Sequence, residues 1–193
     1  GSDTRLIIGH RNRLGRKTTI HIGTELGGWL TRVGDDNDLH AGCHVAHDCY
    51  VDDRTTLGRN VLLAGHIRVE TGASIGDLAG VHHFVTIGRY ARVGAHTPVR
   101  RDVPPYVVFS GPNGERAPAI QGVHESGVKA AKLPRRERKE LLRALSELFA
   151  DESALQTKIE QLVNMGVEEE VEALCEFCQR SLKGVYGRHR EGF

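Results

Sequence analysis

The chain has 193 residues, a length that suits a single domain or one repeat domain with a small appendage. Its 26 basic and 25 acidic side chains nearly cancel, which excludes binding to nucleic acid or to an anionic membrane through net charge alone. No stretch approaches the roughly 18 consecutive apolar residues of a membrane span, and no signal-peptide pattern opens the sequence, so we expect no transmembrane segment. The cysteines are too few for a disulfide framework, which favours a cytoplasmic protein; they are Cys43, Cys49, Cys175 and Cys178.

In chain order, the first predicted elements are short strands, because an aliphatic residue recurs at every sixth position. Twelve consecutive positions follow this rule: Val33, Leu39, Val45, Val51, Leu57, Leu63, Val69, Ile75, Val81, Ile87, Val93 and Val99. The hexapeptide period predicts an all-β, left-handed parallel β-helix in which three repeats make one coil, so that residues 18 apart stack. Gly often follows the aliphatic residue, which suits tight corners where a Cβ would be crowded. Upstream, Ile8, Leu14 and Ile20 keep the step, and a slip of one position between Gly23 and Arg32 predicts an inserted loop.

The repeats end at Pro104 and Pro105, which divides the chain into three parts. The prediction is a left-handed β-helix domain over 3–106, a connecting loop over 107–133 and an α-helical domain over 134–193. A solenoid has open ends, and the helical part is expected to close one of them.

Three amphipathic helices are expected in the C-terminal part. Their apolar stripes are Leu141, Leu142, Leu145, Leu148 and Phe149, then Leu155, Ile159, Leu162 and Val163, then Val171, Leu174, Cys175, Cys178 and Leu182. Asp151 and Gly166 have the character of helix-capping residues between them. Cys175 and Cys178 have the spacing of metal ligands, but they lie on an apolar stripe, so we expect them to pack in the core.

Histidines cluster in the repeats, and the stacking of residues 18 apart predicts which of them lie close together. The 18-residue rule places Gly65 over His47. It places His66 over Asp48, with His82 one coil further on. An imidazole beside a carboxylate is held in one tautomer and can act as a base near neutral pH. A glycine N–H above it could stabilise an oxyanion, so the pattern indicates a catalytic corner.

Zinc binding is the second interpretation of the same histidines. His44 and His47, together with His66 or His82, could supply imidazole ligands between subunits. Zinc-dependent hydratases of the gamma carbonic anhydrase class use this fold with histidines at a subunit interface. A scaffold without catalysis is a third interpretation, because a short solenoid can serve assembly alone.

Several strings within the repeats are more specific than the period. They are Ile8-Gly-His-Arg-Asn-Arg13, Thr19-Ile-His-Ile-Gly-Thr24 with Gly27-Gly28, His44-Val-Ala-His-Asp-Cys49, Leu63-Ala-Gly-His66, Val81-His-His-Phe84 and Asp102-Val-Pro-Pro-Tyr106. Together they resemble the UDP-N-acetylglucosamine O-acyltransferases that begin lipid A synthesis. The resemblance implies a homotrimeric enzyme that moves a 3-hydroxyacyl group from acyl carrier protein to a UDP-amino sugar. It implies no cofactor and no metal, since the acyl-phosphopantetheine arrives on the carrier protein.

The resemblance also implies residue roles. The residue matching His47 is the general base, the one matching Asp48 orients it, and the amide matching Gly65 holds the oxyanion. The positions that line the donor and acceptor groove match His44, His66 and His82.

Departures from the family concern the acceptor and the acyl chain. His83 stands where the family has glutamine in the groove, while Ser126 and Ala130 stand where it has residues that grip the nucleotide. Nothing in this sequence matches the further coils that the family carries before Ile8. We therefore expect intact acyl-transfer chemistry, with the same chemistry on a different acceptor as an alternative.

Ala95 and His96 stand where the family has small residues at the far end of the acyl groove. Added volume there predicts acyl chains shorter than about fourteen carbons.

Basic residues gather near the end of the repeats. Because an acyl carrier protein is acidic, such residues predict a docking surface for it. They are Arg89, Arg92, Arg100 and Arg101.

Overall fold

The computed structural model describes residues 3–111, 117–150 and 155–184. Within them, the first part of the chain forms short strands in three parallel sheets, which are the faces of a triangular prism. The strands are β1 Arg5–Ile8, β2 Arg13–Leu14, β3 Thr19–Ile20, β4 Leu30–Val33, β5 Asp38–Leu39, β6 His44–Val45, β7 Tyr50–Val51, β8 Thr56–Leu57, β9 Leu62–Leu63, β10 Arg68–Val69, β11 Ser74–Ile75, β12 Gly80–Val81, β13 Thr86–Ile87, β14 Arg92–Val93 and β15 Pro98–Val99. Strands β1, β4, β7, β10 and β13 make the first face. The second face contains β2, β5, β8, β11 and β14, and the third contains β3, β6, β9, β12 and β15. The predicted left-handed parallel β-helix is confirmed.

The aliphatic residues of the repeat form the interior of the prism. From Val33 to Val99, each of the twelve residues is at most 3% exposed. Burying a side chain of this size contributes about 1.5–3 kcal/mol, so the repeat itself supplies the core. The matching residues of the first coil, Ile8 and Leu14, are 40% and 49% exposed, because a coil covers them on one side only.

The inserted loop is also confirmed by the strand register. Val33 pairs with Val51, 18 positions on, whereas Ile8 pairs with Val33, 25 positions on. The seven extra residues form a loop over residues 23–29, between the third face of the first coil and the first face of the next. We call this segment the inserted loop.

The corners of the prism differ from the expectation in one respect. The residue with left-handed backbone at each corner is usually not glycine; Asp48, His66 and Phe84 have φ of 59°, 62° and 63°. The glycines that follow the aliphatic residue serve close approach instead. A Cβ on Gly76, for example, would lie 2.6 Å from the backbone nitrogen of Ala95 in the next coil.

The segment 107–133, expected as a connecting loop, contains regular structure. Strand β16, Val107–Ser110, pairs in parallel with β14, and β17, Ala119–Val123, pairs antiparallel with β16. Helix α1, Glu125–Ala130, follows. The physical reason is that β14 leaves an open sheet edge, which β16 covers while burying Val107 and Phe109.

Three longer helices close this end of the prism: α2 Arg135–Leu148, α3 Leu155–Asn164 and α4 Glu169–Leu182. Most residues of the predicted apolar stripes are buried or half-buried where the helices pack against one another and against β17. Val163 and Leu182 are exceptions, 43% and 52% exposed, because each lies near the end of its helix. Cys175 and Cys178 are free thiols buried in this packing. Gly166, with φ of 69°, lies just after α3, whereas Asp151 lies outside the described residues. No helix in the described part of the chain is both long and apolar enough to cross a membrane.

Candidate active site

The candidate site is the corner between the third and first faces, which we call the histidine corner. Successive coils bring His47 and Asp48, then Gly65 and His66, then His82 to this corner. The backbone confirms the stacking, since the His66 N–H donates to the His47 carbonyl at 3.1 Å.

His47 and Asp48 form a hydrogen-bonded pair. The His47 Nδ1 lies 2.8 Å from Asp48 Oδ2, and the side chains are 37% and 0% exposed respectively. Because an ionised carboxylate can only accept, Nδ1 carries the hydrogen in the neutral ring. Nε2 is then left as the basic nitrogen on a ring that reaches solvent.

Asp48 is held from its other side by the inserted loop. The Thr24 N–H donates to Oδ1 at 2.8 Å, and the Thr24 hydroxyl donates to Oδ2 at 2.6 Å. Burial raises the pKa of the Asp48 carboxyl, but the hydrogen bonds from Thr24 and His47 outweigh it, so the pKa lies below its usual range. The buried acid therefore stays ionised.

Gly65 lies directly against the His47 ring. A Cβ at Gly65 would be 2.6 Å from Cε1 and 2.9 Å from Nε2 of that ring, so only glycine permits this approach. Among the described residues, no group accepts a hydrogen bond from the Gly65 N–H. An unpaired backbone donor thus lies beside the basic nitrogen, the arrangement that oxyanion stabilisation requires.

His66 and Phe84 form the wall above the pair. Their rings stack with centroids 4.6 Å apart, and the His66 ring meets the His47 ring edge-on at 5.2 Å. His82 and His83 contact each other edge-on at 5.3 Å one coil further on. These aromatic contacts give the imidazoles defined orientations.

A groove of about 350 Å³ crosses the third face beside the histidine corner. Its centre is apolar and includes Leu62, which is 55% exposed. Histidines and one arginine are also among its lining residues: His44, His82, His83 and Arg100.

His44 is oriented by the first coil. Its Nδ1 lies 2.8 Å from the Thr19 hydroxyl, and its ring meets the His21 ring edge-on at 4.8 Å. Burial lowers the pKa of His44, and the neighbouring His21 lowers it further. The neutral imidazole is therefore favoured at this position in the groove.

Ala95 and His96 do not join the histidine corner. They lie at the corner between the second and third faces, and both are exposed. Ser126, which stands at a departure from the family, accepts or donates a 2.8 Å hydrogen bond with His124 Nε2, and Ala130 is exposed at the end of α1.

The four arginines of the expected docking surface lie on different parts of the prism. Arg92 is exposed on the second face, and Arg100 lines the groove. Arg101 lies over the Phe109 ring, 5.7 Å from its centroid. Arg89 is at the corner between the first and second faces, where its Nε lies 3.0 Å from the Glu170 carboxylate. A single chain therefore presents no continuous patch made of all four.

One group within the described residues has the donor set of a metal site. His47, Asp48 and His66 offer ligand atoms within 4.8 Å of one another, whereas His44 is not part of this group. Both oxygens of Asp48 already accept hydrogen bonds from Thr24, and one also accepts from His47. The carboxylate is thus arranged to orient an imidazole rather than to coordinate an ion.

Sequence reasoning missed Thr24, Gly27, Thr19 and His21 as parts of the site. The signal that could have identified them is the slip in the repeat. Across the inserted loop the stacking offset is 25, so Thr19 lies beside His44. Applying the 18-residue rule alone left the first coil out of the site.

Comparisons with known proteins show which family the chain is similar to. Residues 102–186 match the family described as UDP N-acetylglucosamine O-acyltransferase, domain 2. The acyl-[acyl-carrier-protein]–UDP-N-acetylglucosamine O-acyltransferase of Paracoccus denitrificans is 43% identical over 150 residues, which are 78% of this chain and 54% of that protein. The protein of the same name from Nautilia profundicola is 33% identical over 185 residues, or 96% of this chain and 70% of that one. The chain thus spans about half the length of the first of these relatives.

Solved structures show the same similarity in three dimensions. The UDP-N-acetylglucosamine O-acyltransferase (LpxA) of Moraxella catarrhalis superposes with a TM-score of 0.83 at 30% identity, covering 94% of this chain and 69% of that one. LpxA from Acinetobacter baumannii gives a TM-score of 0.81 at 28% identity, covering 97% and 70%.

Proposed function

The chain belongs to the UDP-N-acetylglucosamine O-acyltransferase family, and on this premise we propose that it transfers a 3-hydroxyacyl group from acyl carrier protein to UDP-N-acetylglucosamine. In lipid A synthesis, this is the first step. The observation that carries the proposal is the histidine corner, where a buried, ionised Asp48 holds His47 against the unpaired N–H of Gly65.

The chemistry follows from that arrangement. His47 Nε2 removes the proton from a sugar hydroxyl while the oxygen attacks the thioester carbon, forming the new C–O bond. The carbonyl electrons move onto oxygen, and the oxyanion accepts a hydrogen bond from the Gly65 N–H. Collapse of this intermediate breaks the C–S bond, and the departing phosphopantetheine thiolate recovers the proton from His47. Asp48 remains ionised and stabilises the imidazolium between the two proton transfers.

The groove on the third face is the proposed site for both substrates. Its apolar centre suits an acyl chain, while His44, His82 and His83 among its lining residues supply polar groups for the thioester and the acceptor. His66 lies at the adjoining histidine corner, where we propose that it also contacts a substrate. Ala95 and His96 lie at the opposite corner of this face. We propose that they limit acyl chain length, which equal rates with donors of about eight to sixteen carbons would contradict.

Carrier-protein docking is proposed for Arg92, Arg100 and Arg101, which are exposed, with Arg89 contributing less because Glu170 neutralises it. The reaction needs no cofactor of the protein's own, since the carrier brings the acyl-phosphopantetheine. We place it in the cytoplasm, which the four free thiols favour.

A homotrimer is proposed because the third face exposes apolar groups in one chain. Leu62 is 55% exposed in the groove, and Leu78 is 51% exposed at the corner between the second and third faces. Sedimentation should give about three times 21.2 kDa. A monomer at micromolar concentration would contradict the proposed trimer.

The experiment that tests the function is incubation of the protein with a panel of acyl carrier protein thioesters and sugar nucleotides, followed by mass spectrometry. The expected product is acylated UDP-N-acetylglucosamine, and samples without acceptor measure simple thioester hydrolysis. Transfer to another acceptor only would support the alternative in which His83, Ser126 and Ala130 reflect a changed substrate. No transfer in any sample would support a scaffold.

The zinc-dependent hydratase is the second candidate, favoured by the proximity of His47, Asp48 and His66. Metal analysis of the purified protein separates the two candidates. Acyl transfer that survives prolonged chelation, in a protein without stoichiometric zinc, would contradict the hydratase. Carbon dioxide hydration that chelation abolishes would contradict the transferase.

A further inference from the structure

The inserted loop is tied down at its first residues and closes on itself. The Gly23 N–H donates to the Arg5 carbonyl at 3.1 Å. The N–H groups of Gly27 and Trp29 both donate to the Thr24 carbonyl, at 3.2 and 2.9 Å. These bonds leave the Thr24 N–H and hydroxyl to bind outside the loop.

Both of those donors bind Asp48. The Thr24 N–H contacts one carboxylate oxygen and its hydroxyl contacts the other, the oxygen that also binds His47. Gly27 lies against the same carboxylate, since a Cβ there would be 2.0 Å from Oδ2. The inserted loop covers the carboxylate, and the Asp48 side chain is fully buried.

We propose that the inserted loop is the device that fixes the acid of the histidine corner, with Thr24 as a positioning residue for the proposed acyl transfer. The inference rests on the proposed function for its kinetic consequence. A carboxylate bound by His47 alone can rotate about its Cβ–Cγ bond. With Thr24 bound to both oxygens, the plane of the carboxylate is fixed, and so is the direction in which the His47 ring points.

The prism contains a matched arrangement without a catalytic group. The Thr55 N–H and hydroxyl both donate to Asn37 Oδ1, at 2.7 and 2.8 Å, and Thr55 is 1% exposed. This pair has the same donors on a threonine and a buried oxygen acceptor, at a different corner. Removing its hydroxyl deletes a buried hydrogen bond of the same donor without touching a histidine.

The test compares Thr24→Val, Thr24→Ser and Thr55→Val. Thr24→Val should lower kcat about tenfold, the effect of losing one ordinary hydrogen bond in the transition state, with KM changed by less than about twofold. Thr24→Ser should restore kcat because it keeps the hydroxyl. Thr55→Val should keep kcat while lowering the melting temperature, because it loses a buried hydrogen bond away from the histidine corner. Gly27→Ala should reproduce the loss of kcat by displacing the carboxylate, and it serves as the second variant if Thr24→Val does not fold.

A second readout separates this inference from the proposed function. Nitrogen-15 NMR of histidine-labelled protein reports the Nδ1–H···carboxylate bond of His47 without any substrate. The signal should be unchanged in Thr24→Ser and Thr55→Val and shifted in Thr24→Val. If the wild-type protein has no transferase activity, the proposed function is wrong. The NMR comparison would still show whether Thr24 positions Asp48 and His47. An unshifted signal together with wild-type kcat in Thr24→Val would overturn it.

Discussion

Two corners of the prism have similar backbones and different chemistry. At the histidine corner, Asp48 has φ of 59°; at the corner between the first and second faces, Tyr90 has φ of 53°. The second corner we call the arginine corner, and it is defined by Glu70, Arg89, Tyr106 and Glu170. Each corner receives polar side chains from a segment outside the repeat, the inserted loop in one case and α4 in the other.

The nature of that cover decides what each corner can do. At the histidine corner the cover supplies neutral donors, which hold Asp48 ionised and leave the His47 ring 37% exposed. At the arginine corner it supplies the carboxylate of Glu170, which pairs with Arg89 and accepts a hydrogen bond from the Tyr106 hydroxyl. Burial and this carboxylate raise the pKa of the Tyr106 phenol. The first corner therefore retains a basic nitrogen for the proposed catalysis, whereas the second attaches the helical segment to the prism.

The largest effect on activity is expected from a substitution at Gly65, in the histidine corner. Gly65→Ala places a methyl group 2.6 Å from the His47 ring, which must move away from both Asp48 and the oxyanion donor. We expect kcat to fall by about 10², the usual loss when an oxyanion donor is displaced. The control is Gly111→Ala, where the nearest contact of the new Cβ with a described residue other than a chain neighbour would be 3.4 Å, to Pro118. A wild-type kcat in Gly65→Ala would contradict the role of His47 as a general base beside the Gly65 N–H.

At the arginine corner the expected effect is on stability. Glu170→Gln removes the carboxylate charge that pairs with the partly buried Arg89, so the free energy of unfolding should fall by about 1–3 kcal/mol. The kcat of the folded protein should be unchanged. Glu140→Gln is the control, because its pair with Arg136 is exposed on α2 and contributes well under about 1 kcal/mol. Urea unfolding measures both, and equal losses would mean that the arginine corner adds nothing to the attachment.

The smallest expected effect concerns pH. Because the pKa of Asp48 is lowered in the folded protein, its contribution to stability is fully present above the unfolded pKa of about 3.9 and is lost as pH falls through the lower folded value. Asp48→Asn should remove this contribution, so the free energy of unfolding should fall less steeply with acid than in the wild type. Denaturant unfolding between about pH 5 and 3 checks the slope, and identical slopes would contradict an ionised, hydrogen-bonded Asp48.

Counting along the sequence predicted the β-helix and the stacking of its corner because both are local properties of a repeat. Val33 and Val51 occupy equivalent positions in successive coils, so the residues beside them stack without reference to the rest of the chain. The same counting brought Gly65 over His47. The repeat period gives the register between successive coils, and this register was sufficient to bring His47, Asp48 and Gly65 together.

Features that depend on other segments were not predicted. The contact between Thr24 and Asp48 arises because an irregular loop folds back onto the next coil, and no period describes that path. The strands within 107–133 form because an open sheet edge pairs with whatever segment reaches it. The arginines were grouped by closeness in sequence, although Arg89 and Arg101 are two thirds of a coil apart and so lie at different corners.

The most direct test of the account is the substitution His47→Asn, with turnover and melting temperature measured on the same samples. Asparagine keeps a polar group of similar reach but offers no basic nitrogen, so kcat should fall by about 10² to 10⁴. The melting temperature should stay nearly unchanged, because the His47 ring is half-exposed and contributes little to the core. A variant that transfers acyl groups at the wild-type rate would contradict the assignment of the histidine corner as the active site.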